Sequence, residues 1–414
     1  MHRRTFLKAA AAAGLAVAAP IALSPRDARA QSTGLYDGPY YFFIHAAGGW
    51  DPTSLCDPKG DANGVNRYPT NAIEQAGNIS YAPVEGMAAI FQKHYEKMMV
   101  VNGIDMSTNG HEQGTRYTFS GKLAEGHPSL AAMIAAKAGP ALPMSYITNG
   151  GYDITNGIIA PTRADNVDTI PRIAYSNRIR PDGDATFHSD YAMERITKAA
   201  DERLVAQQQK VALPHVRTAM AALHTARLGE AELRDVLQYL PDNPGNGLEG
   251  QAQVALAAFR AGLGVSVNMR RGGFDTHGNH DNNHLPRLVD VMNSIDFIWT
   301  QAEAMGIADK IVVVVGSDFG RTPGYNGNNG KDHWSVNSML LMGAGIPGNK
   351  VIGASDDGHR PLMVNPQTLA LDENGVRVRP EHVHYALRKL TGFERDPLSL
   401  QFPLEMQEQL PLFG

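Results

Sequence analysis

The chain has 414 residues, of which 43% are hydrophobic and 19% are charged, and its formal net charge is −5 with histidine neutral. This length and apolar content suffice for the core of one large domain or two smaller ones, and the acidic balance argues against nucleic acid or an anionic membrane as a partner. Cys56 is the only cysteine, which excludes an internal disulfide.

The N-terminus has the pattern of an export signal. Arg3 and Arg4 precede an apolar run over residues 9–23, which is too short to cross a bilayer comfortably, and small residues follow at 28–30. The pattern predicts a twin-arginine signal peptide over residues 1–30 and export by the twin-arginine machinery. The mature chain is then periplasmic or secreted, with no stable membrane span after cleavage. An N-terminal anchor that stays attached is the alternative.

Strand-like apolar runs recur along the mature chain, and each leads into a loop that contains glycine. In chain order they lie in YYFFIHAAGGWD, KMMVVNGIDMSTNGH, LGVSVNMRRGGFDTH, KIVVVVGSDFGRT and SMLLMGAG. Their continuous apolar character is typical of parallel strands covered on both faces. Helical patterns separate them, as in HPSLAAMIAAKAG and QAQVALAAFRAG. This alternation predicts an α/β sandwich, with one domain over residues 31–414.

Two stretches depart from the alternation. Residues 187–241 have a helical pattern for most of their length, interrupted at Pro214. They predict a helical excursion from the sheet, which either caps the site or lies on the surface as a helical pair. Residues 150–184 carry Pro, Asn and Asp throughout and predict an irregular loop at the rim of the site.

Polar groups suited to metal binding follow four of the predicted strands. Open α/β sheets bind ligands beyond the carboxyl ends of their strands. Zinc or a similar divalent ion requires carboxylates and imidazoles, although a single Asp at a strand end is more often a helix cap. Repetition at successive strand ends favours a site. The candidates are Asp51, Thr53 and Ser54, then Asp105, Ser107, Thr108 and His111, then Asp275, His277 and His280, and finally Asp318, Arg321, Thr322, Asp332 and His333.

Two C-terminal motifs carry a family resemblance. GGFDTHGNH, followed by VVVVGSDFGRTPGYNGNNGKDHW, resembles the domain-of-unknown-function 1501 family of exported bacterial proteins, and the GGWD opening fits as well. That family belongs to the alkaline phosphatase-like superfamily, with phosphatases, sulfatases and metal-dependent phosphoglycerate mutases. The resemblance implies an alkaline phosphatase-like three-layer α/β/α sandwich with a mostly parallel central sheet and a helical insertion.

The resemblance also implies a set of metal ligands. Asp51, at the end of the first strand, corresponds to a residue that usually binds a metal ion. Asp275 and His277 correspond to ligands of the other ion. Asp318 follows the next strand, and His333 corresponds to a final histidine that arrives from the loop beyond.

The sequence departs from the superfamily pattern at two positions. Phe319 stands where a histidine usually follows the aspartate, so one imidazole ligand is missing, and Asp332 or His111 is a candidate replacement. The Asp–His spacing in DTH is tighter than usual, which leaves His277 and His280 as competing ligands. A site with a single metal ion is the other reading.

The candidate nucleophile lies in STNGH, which matches the spacing of the Ser-x-x-Gly-His context of the mutases. This resemblance makes Ser107 the candidate, with Thr108 beside it and His111 at the end of the motif. The leaving group would need a proton, for which His111 or His280 is the candidate donor. Arg321 is expected to hold an anionic oxygen in a bidentate way, with a structural ion pair as the alternative.

The expected function is a periplasmic metal-dependent hydrolase of small phosphoric or sulfuric esters that uses a Ser/Thr hydroxyl or a metal-bound water as nucleophile. The expected ion is zinc, with manganese and calcium left open. The alternative is a non-catalytic exported binding or assembly protein that retains the fold. A nucleotide-binding Rossmann protein fits poorly, because no Gly-x-Gly-x-x-Gly follows the first strand.

Overall fold

The centre of the fold is an eight-stranded sheet. The computed structural model describes residues 35–164, 169–210, 230–406 and 408–414, together with residues 213, 216 and 220. The predicted signal peptide and the interruption at Pro214 lie outside these residues. The strands are β1 (Tyr40–Ala46), β2 (Glu74–Ala76), β3 (Ile79–Tyr81), β4 (Met98–Asp105), β5 (Met144–Thr148), β6 (Pro161–Arg163), β7 (Gly264–Arg271), β8 (Ile311–Ser317), β9 (Gly320–Arg321), β10 (His333–Trp334), β11 (Val336–Gly343), β12 (Lys350–Ile352), β13 (Met363–Val364) and β14 (Val376–Arg377).

The strand order of the large sheet is β12-β4-β11-β8-β1-β7-β5-β6. Every neighbouring pair is parallel except those that include β11, which runs antiparallel to both β4 and β8. The mostly parallel sheet is confirmed, but the expected parallel direction of the SMLLMGAG strand is wrong. Since β11 is buried along almost its whole length like its parallel neighbours, its apolar run did not reveal its direction.

Helices cover both faces of the sheet, which confirms the three-layer α/β/α sandwich. The described helices are α1 (Ala88–His94), α2 (His111–Ser120), α3 (Leu130–Ala138), α4 (Thr169–Ala174), α5 (Asp190–Lys210), α6 (Glu230–Leu237), α7 (Gly247–Arg260), α8 (His280–Ala304), α9 (Pro380–Leu390) and α10 (Pro397–Gln401).

Two apolar cores lie between these layers. Phe42 and Ile44 of β1 face the core that α1, α7 and α8 cover, whereas Tyr41 and Phe43 face the core of α2, α3 and α9. This alternation follows from the two-residue period of a strand, and it buries every residue of β1. The sheet is therefore held on both faces, and its strand ends are fixed in space.

The helical excursion over residues 187–241 is present in its described parts as α5 and α6. Helix α6 packs against α4 and α7 through Leu233 and Val236. The stretch over residues 150–184 contains the short strand β6 and the short helix α4, so it is more regular than expected. Within the described ranges, no helix has the length and apolar character needed to cross a bilayer.

Candidate metal centre

The candidate centre lies where three adjacent parallel strands end. Strands β8, β1 and β7 are neighbours, so the residues that follow them meet at one edge of the sheet. Asp275 follows β7 and Asp318 follows β8. His111 is the first residue of α2, and the β9–β10 hairpin places His333 directly across from Arg321.

Three imidazoles converge on one carboxylate. The Nε2 atoms of His277 and His333 lie 2.9 and 3.0 Å from Oδ1 of Asp275, and 3.0 Å from each other. Nε2 of His111 lies 3.5 Å from Oδ2 of the same carboxylate. The side chains are open to solvent, with exposures from 24% for His333 to 47% for His277, so an ion could reach them.

Each imidazole is oriented by an oxygen atom on its other nitrogen. Nδ1 of His277 donates to Asp332 (2.7 Å), Nδ1 of His333 donates to the backbone carbonyl of Asn109 (2.9 Å), and Nδ1 of His111 donates to Asp318 (2.7 Å). A carbonyl or carboxylate oxygen can only accept, so each Nδ1 acts as the donor in these contacts, and Nε2 is the nitrogen that faces Asp275. This is how proteins commonly prepare histidines as metal ligands.

The spacing and charge of the cluster fit a divalent ion. Among the described residues, His111, Asp275 and His333 each offer one ligand atom, and these atoms all lie within 4.8 Å of one another, a spacing that one divalent ion could bridge. The cluster contains three carboxylates, of Asp275, Asp318 and Asp332, and one guanidinium, that of Arg321, which pairs with Asp275. Two negative charges therefore remain when the imidazoles are neutral, and a divalent cation would balance them.

Arg321 is buried beside this cluster and fixes the position of Asp275. Its Nη2 donates to Oδ1 of Asp275 (2.7 Å) and to the carbonyl of Gly48, while Nε and Nη1 donate to the carbonyls of Gly49 (2.8 Å) and Lys331 (3.0 Å). Burial would raise the pKa of Asp275, but hydrogen bonds from Arg321 and His333 lower it to about 2. The arginine is fully buried, so it orients Asp275. It was predicted to hold an anionic oxygen of a substrate, and the structure instead shows the alternative, a structural ion pair.

The Gly48–Gly49 pair lets the first loop pass over this arginine. Both residues have left-handed φ values, +121° and +86°. A Cβ atom at Gly49 would lie 2.5 Å from the ring of Phe319, and one at Gly48 would lie 2.4 Å from the backbone nitrogen of Asp275. Only glycine fits at such contacts, which explains the GGWD motif.

Asp318 lies behind the cluster and is almost fully buried. Its Oδ2 accepts from His111 and from the backbone N–H of Gly48 (3.2 Å), and its Oδ1 contacts Nε2 of His45. Burial would raise the pKa of Asp318, but hydrogen bonds from the two imidazoles hold it well below the usual range. Both oxygens are engaged, so the carboxylate predicted as a ligand is placed to orient His111. Phe319, at the position of the missing histidine, packs against the rings of His111 and His333.

Asp51, also predicted as a ligand, lies apart from this cluster in a closed, buried network. Its Oδ2 pairs with the ammonium of Lys331 at 2.8 Å, and its Oδ1 accepts from the backbone N–H and hydroxyl of Thr53. Both ionic side chains are fully buried. Burial would raise the pKa of Asp51, but the ammonium holds it well below the usual range. A cation supplied by the chain therefore occupies the position expected for a metal ion.

His280 belongs to this second network. The backbone N–H of Asp51 donates to Nε2 of His284 (2.9 Å), so His284 carries its proton on Nδ1, which lies 3.0 Å from Oγ1 of Thr276. The Thr276 hydroxyl then donates to Nδ1 of His280 (2.7 Å), and the remaining N–H of His280 faces Asp51 at 3.3 Å. No lone pair is left on either ring. The competition predicted between His277 and His280 resolves geometrically, because only His277 reaches Asp275.

The predicted nucleophiles lie outside the cleft beside the cluster. Ser107 has a φ of +52°, and its backbone N–H and hydroxyl both contact Asp105, at 2.9 and 3.4 Å. The Thr108 hydroxyl accepts from the backbone of Gly110 (3.2 Å), which is the N-cap of α2. The hydroxyl-bearing side chains along the described cleft wall are Thr115 and Tyr152.

Comparison with known proteins places the chain in a family. The family model described as "Protein of unknown function (DUF1501)" matches residues 157–373, more than half of the sequence. The chain is a DUF1501 protein. This confirms the resemblance carried by the GGFDTHGNH and SDFGRT motifs. No curated protein matches the sequence of this DUF1501 protein.

Among solved structures, the DUF1501 protein is similar to phosphatases and sulfatases. Alkaline phosphatase from the Antarctic bacterium TAB5 aligns at 8% identity and a TM-score of 0.35, over 87% of this chain and 99% of that one. A putative sulfatase from Bacteroides thetaiotaomicron aligns at 9% identity and 0.34, over 90% and 76%. PsFucS1 sulfatase from Pseudoalteromonas sp. aligns at 11% identity and 0.33, over 95% and 72%. These scores are low, so the chemistry has to be judged from this chain's own residues.

The residues that sequence reasoning did not assign to the site are Lys331, His45 and Arg270. Lys331 directly precedes Asp332 and His333, but its partner Asp51 lies 280 residues earlier, so spacing could not reveal the pair. His45 could have been identified from the sequence as a candidate site residue, because it is the one imidazole inside the apolar strand YYFFIHA. Arg270 gave no signal beyond its place at the end of β7.

Metal affinity of the DUF1501 protein should rise with pH. The hydrogen bond to Asp318 raises the pKa of His111 above its usual value of about 6.5. Below that raised pKa, Nε2 of His111 carries a proton that an ion must displace, and above it the nitrogen is free. Metal titrations from pH 5.5 to 8.5 should show stronger binding at high pH with proton release. His111→Gln should flatten this dependence, and an unchanged slope in that variant would remove His111 from the ligand set.

Proposed function

We propose that this protein is a periplasmic divalent-metal-dependent hydrolase of small phosphoric or sulfuric esters. The observation that carries the proposal is the convergence of three imidazole Nε2 atoms on the carboxylate of Asp275. His111 and Asp275 also line a cleft of about 580 Å³, large enough for a small ester. A divalent ion at these residues would polarise an ester oxygen and lower the pKa of a hydroxyl or water beside it.

The chain's own groups hold this arrangement before any ion or substrate arrives. Asp332, the carbonyl of Asn109 and Asp318 hold the three imidazoles in place through their Nδ1 atoms. Arg321 holds Asp275 ionised and fixed in place. Such preorganisation is the protein's usual contribution to metal-assisted catalysis. Zinc is the proposed ion, because the imidazoles of His111 and His333 with the carboxylate of Asp275 suit zinc, whereas manganese and calcium favour oxygen ligands.

The proposed location rests on the N-terminal sequence. Arg3 and Arg4 followed by the apolar run support twin-arginine export. That route carries folded proteins, so the ion would be loaded before export. The substrate would then be a small anionic ester in the periplasm or outside the cell.

One observation favours the second candidate function, a non-catalytic binding or assembly protein. The hydroxyl of Ser107 contacts Asp105, and neither Ser107 nor Thr108 lines the cleft. An enzyme that forms a covalent Ser or Thr intermediate would need that hydroxyl within reach of the ion. The proposed hydrolase does not require such an intermediate, because a metal-bound water can also serve as its nucleophile.

The test is metal analysis of the exported protein, purified without affinity-tag metal, followed by an ester screen. We expect one transition-metal ion per chain. We also expect hydrolysis of at least one phosphate or sulfate monoester that stops when the ion is removed and returns when zinc is restored. A bound ion with no turnover on either ester class would favour the binding protein. A chain that takes up no divalent ion on titration would contradict both the centre and the proposed hydrolase.

A further inference from the structure

Arg270 lies at the end of β7 and lines the same cleft as His111 and Asp275. Its neighbour Arg271 points elsewhere, because its Nε and Nη2 atoms pair with Oδ2 of Asp290 at 3.0 and 2.6 Å. Two consecutive arginines on one strand therefore differ: one is neutralised by the protein and the other faces the cleft. Successive residues of a strand point to opposite faces, which accounts for the difference.

The guanidinium of Arg270 has no anionic partner among the described residues. No carboxylate oxygen of that part of the chain lies within 4.0 Å of it, and Asp275 and Asp318 are therefore farther than this. Its backbone is nevertheless fixed, because its N–H donates to Oε1 of Gln251 (2.8 Å) and its carbonyl accepts from Nε2 of the same side chain (3.2 Å). A fixed backbone thus presents an unneutralised charge.

Glycines are the neighbours of the Arg270 side chain on two sides. A Cβ atom at Gly272 would lie 3.5 Å from Nη1 of Arg270, and one at Gly150 would lie 3.7 Å from its Cδ. Gly150 and Gly151 both have left-handed φ values, +93° and +81°, which other residues rarely adopt. The loop after β5 therefore passes Arg270 without a side chain that would cover it.

Arg270 is also the only lysine or arginine on the described cleft wall. The other nearby guanidinium, that of Arg321, is buried and donates to three carbonyls and to Asp275. An anionic group away from the metal ligands would have Arg270 as its one permanent counter-charge. Guanidinium groups bind carboxylate and phosphate through two parallel hydrogen bonds, which makes such a contact selective.

We propose that Arg270 binds a second anionic group of the substrate, so that the preferred esters carry a carboxylate or phosphate on the leaving portion. This inference rests on the proposed hydrolase, because it assumes that the ester group itself lies at the Asp275 centre. It names a substrate class: phosphoric or sulfuric esters with at least two anionic groups.

The test compares two non-hydrolysable probes in equilibrium binding to the metal-loaded protein. The probes are phenylphosphonate and 4-carboxyphenylphosphonate, which differ only in the second anionic group. We expect Arg270→Gln to weaken binding of the carboxylated probe by about 10- to 100-fold and to leave phenylphosphonate within about two-fold, because a charge-assisted bidentate contact is lost only for the former. Arg271→Gln is the matched control and should change neither probe.

Three outcomes overturn the inference, and a fourth separates it from the proposed hydrolase. Equal weakening of both probes would place Arg270 on the phosphonate group itself. No weakening of either, or failure of the wild-type protein to prefer the carboxylated probe, would leave the arginine without a ligand role. Binding that follows the expected pattern, with no hydrolysis of the corresponding phosphate and sulfate esters, would refute the proposed hydrolase while retaining the anion subsite.

Discussion

Asp275→Asn should abolish both metal binding and ester hydrolysis. The carboxylate is the point on which the three imidazoles converge, and an amide is a far weaker ligand for a divalent ion. Because changes to residues that only orient a ligand cost about 10- to 100-fold in affinity or activity, loss of the central ligand should exceed that range. The measurement is metal content together with turnover of whichever ester proves to be a substrate.

The asparagine variant is chosen because it keeps the shape of the site. Its amide oxygen can still accept from Arg321, so the buried guanidinium retains a partner and the fold should survive. Asp290→Asn is the matched control, since Asp290 lies on α8, is about half exposed and pairs with Arg271 away from the cleft. Full metal content in Asp275→Asn, with the control unchanged, would disprove the assignment of the centre.

Lys331→Met should destabilise the protein strongly without changing any residue that faces the cleft. The Lys331 ammonium and the Asp51 carboxylate are both fully buried and lie 2.8 Å apart. Removing one member of such a pair leaves an uncompensated charge in the interior, which costs about 3–5 kcal/mol. We expect a loss of that size in the free energy of unfolding, measured by urea denaturation with the metal-free protein.

A double-mutant cycle separates the pair from general damage to the loop. The Asp51→Asn/Lys331→Met protein lacks both charges, so it should be more stable than Lys331→Met alone. Lys310→Met is the matched control, because Lys310 pairs with the exposed Asp37 and its loss should cost at most about 1 kcal/mol. A Lys331→Met protein as stable as this control would show that the buried pair contributes little.

Much of the fold could be predicted because its signals are local. Continuous apolar runs such as that of β8 indicate buried strands, and the polar residues after β7 and β8 were found because parallel strands end together. The direction of β11 could not be predicted in this way. An apolar run reports burial on both faces, whereas direction depends on the route of the β9–β10 hairpin that precedes it.

The candidate site was only partly predictable, for a different reason. The motifs in the sequence identified Asp275, His277 and His333 as candidates. The turn after β7, however, decides that His277 rather than His280 faces the Asp275 carboxylate. The STNGH spacing matched a nucleophile motif, yet helix α2 begins only at His111, four residues after Ser107. Side-chain direction over a few loop residues is set by tertiary contacts, which spacing does not contain.

Three consecutive residues, 331–333, hold the loop before β10 in place beside the candidate metal centre. Lys331 points into the buried network, Asp332 holds His277, and His333 reaches Asp275. A chelator can extract an ion, but it cannot extract the Lys331 ammonium, which is covalently attached to the chain. The loop would thus stay anchored at Lys331 whether or not the proposed ion is bound, with His277 and His333 still directed at Asp275. Binding of the proposed ion should then need only small side-chain adjustments, which would favour rapid uptake where metal is scarce.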